Sequence, residues 1–186
     1  DIVEERDVEM IPILEDFKDY CMQEKLIPDG YKWMRALTAG KTFKDNMELN
    51  LYYDEAAHNY SAHGYIGLYK EKSIRAIGKL TKTVLAKEVN GEMQFESESG
   101  GTVTEAEKSA ILEAVRRAEE YGYNLRTVRH RYFFVEQFYP TDFKKSSKNP
   151  IQKSKLFNLA EMFGYKTMPD TKKIASDLDG RTWEEF

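Results

Sequence analysis

One late stretch of the chain combines positive charge with aromatic rings. Residues 126–155 read RTVRHRYFFVEQFYPTDFKKSSKNPIQKSK, with eight Lys or Arg against two acids and a formal charge of +6. The whole chain has a net charge of −4, so the remaining residues sum to −10. Cations can neutralise phosphates and rings can stack on bases. This segregation therefore favours a polyanionic partner, of which nucleic acid is the commonest.

Two groups of cations in this segment are candidates for phosphate contacts. Arg129 and Arg131 flank His130 in a strand-like stretch. Strand alternation places the two guanidiniums on one face, roughly 6–7 Å apart, a spacing that suits one phosphate or two neighbouring ones. Flexible lysines with hydroxyl neighbours contact the nucleic-acid backbone without reading sequence. The second group consists of such lysines: Lys144, Lys145 and Lys148 lie next to Ser146 and Ser147.

Catalytic chemistry has weaker support. His58 and His63 share the polar segment 54–63 with Asp54 and Glu55, which suggests a metal site or a general acid–base pair. No further Asp, His or Cys completes such a set. The chain also lacks a phosphate-binding glycine loop, a nucleophile elbow and an HExxH motif. A metal-dependent nuclease is therefore an alternative hypothesis, and a protein-interaction domain with a basic face is another. We expect no cofactor and no metal.

The composition is that of one domain with a single core. Of the 186 residues, 41% are hydrophobic and 13% are aromatic. The lone Cys21 excludes an internal disulfide and a cysteine-based zinc site, and it agrees with a cytoplasmic location. No apolar run approaches the roughly 20 residues of a membrane helix, so no membrane partner is expected. The chain begins at Asp1 rather than Met, which fits a domain of a larger protein.

The first third of the chain gives a mixed pattern. Residues 7–14 predict an edge strand that contains Pro12, and helical spacing predicts a helix over 15–25. A short helix followed by a loop is expected over 31–46, and a strand is expected over 47–53. These elements precede the polar connection at 54–63.

Local signals are stronger beyond residue 63. Strands at 64–70 and 73–89 flank Glu71-Lys72, and Asn90-Gly91 predicts a second hairpin with 91–98. Thr104 and Glu107 form a capping box for a helix over 102–122. A strand at 130–139 is expected to end at Pro140, and a short helix is expected near 156–163. These elements predict an α+β domain over 1–164, followed by a polar C-terminal tail over 165–186 in which Trp183 and Phe186 are possible docking anchors.

The hairpin YIGLYK…SIRAIGK, together with HRYFFV and FKKSSKNPIQKSKLFNL, resembles PUA-like domains of the ASCH and EVE types. The resemblance covers about residues 7–160, although 31–46 departs from the pattern. It implies a small mixed or antiparallel PUA-like β-barrel with flanking helices. It also implies non-catalytic binding of DNA or RNA, including a modified base held in an aromatic pocket, within a bacterial restriction or antiviral defence protein that carries other domains.

The resemblance also adds candidate site residues. Because this hairpin lies near the ligand groove in the family, Arg75 and Lys79 join the candidate nucleic-acid contacts. Aromatic residues near the hairpin and near the segment 31–46 are candidates for stacking on a base. These are Tyr31, Trp33, Tyr65 and Tyr69.

Overall fold

The structure is a computed structural model that describes residues 29–151 and 154–186. The strands are β1 (Trp33–Thr38), β2 (Leu51–Glu55), β3 (Tyr65–Lys70), β4 (Ser73–Val89), β5 (Glu92–Ser99), β6 (His130–Lys144) and β7 (Ser154–Asn158). The helices are α1 (Phe43–Leu49), α2 (Glu105–Glu120), α3 (Leu159–Phe163) and α4 (Thr171–Leu178), with 3₁₀ turns at Asp29–Lys32 and Trp183–Glu185. The strand and helix predicted at 7–14 and 15–25 lie outside the described residues.

All seven strands belong to one sheet, in the order β2-β6-β4-β3-β1-β7, with β5 also paired to β4. The β1–β3 pair is parallel and the other pairs are antiparallel. The predicted α+β class is confirmed. The predicted barrel is not confirmed. Within residues 29–151 and 154–186, the end strands β2 and β7 do not pair with each other, so this sheet is not closed.

The two predicted hairpins are present because their turn residues adopt the required left-handed backbone. Glu71 and Lys72 have φ values of 52° and 60°, and Lys70 pairs with Ser73 across them. Asn90 and Gly91 have φ values of 54° and 84° between β4 and β5. Positive φ at both central residues matches the twist of the flanking strands, so local sequence determines these connections.

The predicted capping box of α2 is also confirmed. The Thr104 hydroxyl accepts a hydrogen bond from the Glu107 backbone N–H at 3.3 Å, and the Glu107 carboxylate accepts one from the Thr104 N–H at 2.7 Å. The same carboxylate forms an ion pair of 2.8 Å with Lys82 on β4. The cap therefore fixes both the start of the helix and its attachment to the sheet.

The prediction for 31–46 was wrong. Residues 33–38 form β1, a strand between β3 and β7, and helix α1 follows it. Both faces of β1 are covered, so Met34 and Ala36 are fully buried and Leu37 is nearly so. A strand buried on both sides lacks the alternation that identifies half-exposed strands. The strand predicted over 47–53 starts later, because α1 continues to Leu49 before β2 begins.

The prediction that Pro140 ends β6 was also wrong. The strand continues to Lys144, and Pro140 pairs with Ala76 beside a register shift between Ile74 and Ala76. Proline is tolerated at such an irregularity because its missing N–H is not needed there. The extended β6 brings Lys144 opposite Ser73, beside the β3–β4 turn.

Residues 154–186 pack on the sheet. The short helix expected near 156–163 is present as α3, but it begins only at Leu159, because Ser154–Asn158 form β7. Within the segment expected to be a polar tail, α4 buries Ile174 and Leu178 in a cluster with Phe143. Trp183 is buried too, and its indole N–H donates to the Phe143 carbonyl at 3.0 Å. This segment therefore completes one hydrophobic core of the domain.

The alternation of β6 separates two further hydrophobic clusters. Tyr132 and Phe134 pack with α2 on one face of the sheet. Phe133 and Val135 join Leu37 and neighbouring residues of β3 and β4 on the other face. The second face is the one on which the 56–63 loop lies. In the described part of the chain, no helix is long and apolar enough to cross a membrane.

A candidate ligand cleft under the 56–63 loop

The predicted arginine pair at the start of β6 is neutralised by acids of β5. Arg129 forms an ion pair with Glu96. Arg131 forms a two-pronged pair with Glu98, at 2.7 and 2.8 Å, and its guanidinium also donates to the His58 carbonyl at 2.9 Å. Sequence alternation predicted the shared face correctly but not these partners. Each arginine already has a carboxylate, so the pair is poorly suited to bind a phosphate.

The predicted cations at the opposite end of β6 are partly paired. Arg75 and Lys144 share Asp142, at 2.8 and 3.1 Å. Lys79 lies 3.9 Å from Glu136 at an exposed site. Lys144 follows Arg131 by thirteen positions in the sequence, a path of roughly 40 Å along β6. The structure therefore does not bring the predicted cations together in one groove.

A smaller basic group does form at this end. The backbone N–H of Lys145 donates to the Lys72 carbonyl at 2.7 Å, which places the 144–148 loop beside the β3–β4 turn. We call the five lysines of these two segments the basic rim: Lys70, Lys72, Lys144, Lys145 and Lys148. Among the described residues, no ion pair is found for Lys72, Lys145 or Lys148. These three charges are therefore available to an anionic partner.

Two of the four predicted stacking residues belong to the hydrophobic core. Tyr65 and Tyr69 are only 3% and 5% exposed and belong to the core, where Tyr69 packs against Trp183. They are therefore not available to stack on a ligand. Trp33 is half-buried and lines a groove beside Phe157. Tyr31 is also half-buried, and it lines the cleft described next.

A cleft lies under the loop 56–63, between the ends of β1, β2 and β6. It has two lobes, one on either side of Tyr60. The first, of about 510 Å³, is lined by Arg35, Tyr52, Asp54, His58 and Ser154. The second, of about 530 Å³, is lined by Tyr31, His63, Leu80, Arg131 and Phe133. Volumes of this size are typical of sites for small organic ligands.

Three rings form the aromatic part of the cleft. The centroids of Tyr60 and Phe133 lie 5.8 Å apart, and His63 lies 5.7 Å from Phe133 and 6.2 Å from Tyr60. Phe133 reaches the cleft because it alternates with Tyr132 and Phe134, which face α2. Tyr60 and His63 are half-buried and can contact a flat ligand, whereas Phe133 is only 3% exposed and supports the other two rings from behind.

Arg35 provides the charged part of the cleft. It is 6% exposed and lies on β1, with its guanidinium 4.7 Å from the centre of the Tyr60 ring. Its terminal nitrogens donate to the Ser154 hydroxyl at 2.9 Å and to the Ser61 hydroxyl and carbonyl at 2.6 and 3.2 Å. Its Nε has no partner. No carboxylate of the described residues forms an ion pair with it, and its burial lowers the pKa of its guanidinium.

A buried arginine held only by neutral groups is unusual. Removing the guanidinium from water costs free energy that hydroxyls and carbonyls only partly offset. Such a cation is expected to gain from a ligand that supplies a stronger acceptor, for example a phosphate oxygen or a base carbonyl. Arg35 is thus the strongest candidate for a ligand-binding residue in the cleft.

Asp54 holds the loop over the first lobe. Its carboxylate accepts a hydrogen bond from the Tyr60 hydroxyl and lies 3.0 Å from Nδ1 of His58. Burial, reinforced by this carboxylate, raises the pKa of Tyr60, so the phenol stays protonated and remains a donor. The contact fixes the Tyr60 ring between the two lobes.

The two histidines do not form a metal site. His58 is exposed, whereas the Nδ1 of His63 donates to the Ser61 carbonyl at 3.0 Å. The other nitrogen of His63 is buried without a partner, and burial lowers the pKa of this imidazole. Within residues 29–151 and 154–186, no group of three His, Cys, Asp or Glu side chains is placed to hold a metal. The nuclease hypothesis therefore gains nothing from their arrangement.

Sequence reasoning missed the central residues of the cleft, Arg35, Tyr60 and Phe133. One signal was available: Arg35 interrupts the apolar run WMRAL, and a charge inside a buried strand is rarely only structural. Comparisons of this chain with protein-family models, with curated proteins and with solved structures found no match. The cleft is accordingly interpreted from its own geometry.

Proposed function

We propose that this domain binds nucleic acid without catalysis, taking one unpaired or flipped base into the cleft under the 56–63 loop. The observation that carries the proposal is Arg35, buried against Tyr60 with neutral partners. A base offers a flat face for the ring and carbonyl or ring-nitrogen acceptors for the guanidinium. Both requirements of the cleft are then met by one ligand.

The chemistry of the two lobes supports a base. Tyr60, which packs against the buried Phe133 ring, supplies a stacking surface, and stacking contributes roughly 1–3 kcal/mol per base. Asp54 adds an acceptor that can pair with an exocyclic amino group. A base acceptor replaces Ser61 as the partner of Arg35, which couples occupation of the cleft to movement of the loop.

The basic rim is the proposed contact for the phosphates of a bound strand, because three of its lysines have no ion pair among the described residues. Each phosphate contact releases counterions and makes the affinity salt-dependent.

As part of this proposal, we assign the fold to a PUA-like variant. The Tyr52 hydroxyl donates to the Thr38 carbonyl at 3.2 Å, so the β2 side of the sheet approaches β1 across the cleft. This contact supports the proposal that the sheet is an open counterpart of the barrel that the resemblance implies. A cytoplasmic defence or restriction protein that senses a modified base, with further domains as partners, is the proposed setting.

The decisive experiment is a binding screen with single-stranded, duplex and base-modified oligonucleotides at two ionic strengths. We expect salt-dependent binding of unpaired or modified bases, without cleavage in Mg²⁺ or Mn²⁺. The variant Arg35→Lys keeps the charge but loses the planar fork, and we expect it to lower affinity by about tenfold. Arg116→Lys is the matched control on the exposed face of α2. The absence of binding to any oligonucleotide at low salt would refute the proposal in favour of a protein partner.

A further inference from the structure

The loop of the basic rim holds a carboxylate of the same chain. The backbone N–H groups of Ser146 and Ser147 donate to the two oxygens of Glu184, at 3.1 and 3.0 Å. The Ser146 side chain and these two amides lower the pKa of Glu184 to about 2. An anion is therefore bound by two backbone amides of one short loop.

The surroundings of these amides favour a ligand with more negative charge than a carboxylate. Lys145 and Lys148 flank them, and the Lys145 ammonium donates to the Ser147 hydroxyl. Successive backbone N–H groups in a turn form a concave anion site, and a phosphate offers more acceptor oxygens than a carboxylate. The present occupant leaves much of the positive charge unmatched.

The start of the loop is held by two backbone hydrogen bonds, one to the C-terminal segment and one to the β3–β4 turn. The Lys144 N–H donates to the Arg181 carbonyl at 2.9 Å, and the Lys145 N–H donates to the Lys72 carbonyl at 2.7 Å. These bonds fix the backbone just before the two serine amides, so the donors are preorganised. Glu184, by contrast, is exposed and can turn away from the loop while its neighbour Trp183 stays in the core.

We propose that the amides of Ser146 and Ser147 form a phosphate site, and that Glu184 is a built-in competitor that occupies it in the free protein. The phosphate comes either from a bound strand or from the free anion. Binding of a strand phosphate rests on the proposed function, whereas the existence of a phosphate site does not depend on it. Regulation follows directly, because a ligand phosphate must displace Glu184 before it binds these amides.

The free-anion arm of the test uses inorganic phosphate and the backbone amide resonances of Ser146 and Ser147. Glu184→Ala frees the amides and Glu184→Gln weakens the competitor with little change of shape. Glu185→Gln is the matched control. It removes the same charge one residue away, and glutamine can still cap Thr182 in place of Glu185.

We expect both Glu184 variants to show saturable shifts of these two resonances at about tenfold lower phosphate concentration than the wild type or Glu185→Gln. Unchanged intrinsic fluorescence of Trp33 and Trp183 checks that the packing around both tryptophans is intact. If the resonances do not respond to phosphate in either Glu184 variant, or if Glu185→Gln responds equally, the proposed site is refuted.

The strand arm measures the affinity for a single-stranded oligonucleotide. We expect Glu184→Ala to bind about three- to tenfold more tightly than Glu185→Gln, which separates release of the site from a simple change of net charge. If phosphate shifts the amides but no variant binds oligonucleotides, the phosphate site stands and the proposed function fails. If oligonucleotides bind but the amide resonances of Ser146 and Ser147 do not shift with phosphate, only the proposed phosphate site fails.

Discussion

Replacement of Tyr60 by alanine is the sharpest perturbation of the proposed cleft. The ring lies between the two lobes, 5.8 Å from Phe133 and 4.7 Å from the Arg35 guanidinium. It is half-buried and belongs to a loop, so its loss removes a stacking surface without opening a large cavity in the core. Stacking on one ring is worth roughly 1–3 kcal/mol, which corresponds to about a 5- to 140-fold loss of affinity.

The assay is fluorescence anisotropy with a labelled single-stranded oligonucleotide at fixed salt. Tyr60→Phe keeps the ring and removes only its hydrogen bond to Asp54, so we expect its affinity to remain within about threefold of the wild type. Tyr123→Ala, at an exposed tyrosine of another surface, controls for the loss of a ring in general. Thermal unfolding of each variant checks that the domain remains folded.

Two results would contradict this reasoning. If Tyr60→Ala binds as tightly as Tyr123→Ala, the ring does not contact the base and the cleft is not the site. If Tyr60→Phe loses as much affinity as Tyr60→Ala, the hydroxyl rather than the ring is responsible. In that case the position of the loop, held by Asp54, determines binding.

Three further predictions follow from other parts of the structure. The double variant Lys145→Ala, Lys148→Ala should reduce the magnitude of the slope of log affinity against log salt by about 1.4, because each lost contact with a single-strand phosphate reduces that slope by about 0.7. The control Lys87→Ala, at the far end of β4, should leave the slope unchanged. Desolvation lowers the pKa of the half-buried His63, so the free energy of unfolding should fall as the pH drops below 6.5, where the unfolded chain binds the proton more readily than the folded one. His63→Gln should flatten this dependence in thermal melts at pH 7.5 and 5.5. Thr104→Ala removes the side-chain cap of α2 and should cost about 1 kcal/mol in urea unfolding, and an unchanged midpoint would show that the cap contributes nothing.

Elements with local signals were predicted well. The φ values at Glu71-Lys72 and Asn90-Gly91, and the cap at Thr104, depend on a few neighbouring residues and are therefore encoded in short stretches of sequence. Strand β1 was missed because its burial on both faces depends on β3 and β7, which lie far along the chain. The end of β6 was predicted wrongly at Pro140 for a similar reason, since the register shift that accommodates this proline arises from pairing with β4.

In the candidate site, too, some features were predictable from local sequence and others depend on distant residues. Sequence indicated that a basic, aromatic segment exists, and it identified Lys144, Lys145 and Lys148 as candidate anion contacts. It could not show that Arg131 is paired with Glu98, because that acid lies 33 residues away on β5. The cancellation of charge is a property of the folded sheet.

By itself, the amino-acid sequence determined the α+β class, the two tight hairpins, the capped helix and the excess of positive charge after residue 125. Only the tertiary structure decided which cations remain without carboxylates and which rings line the cleft. Arg35, Tyr60 and Phe133 come from two strands and a loop, and they meet because the sheet brings β1, β2 and β6 around one cleft. Desolvation and ion pairing depend on such distant neighbours, so no local pattern of residues can specify them.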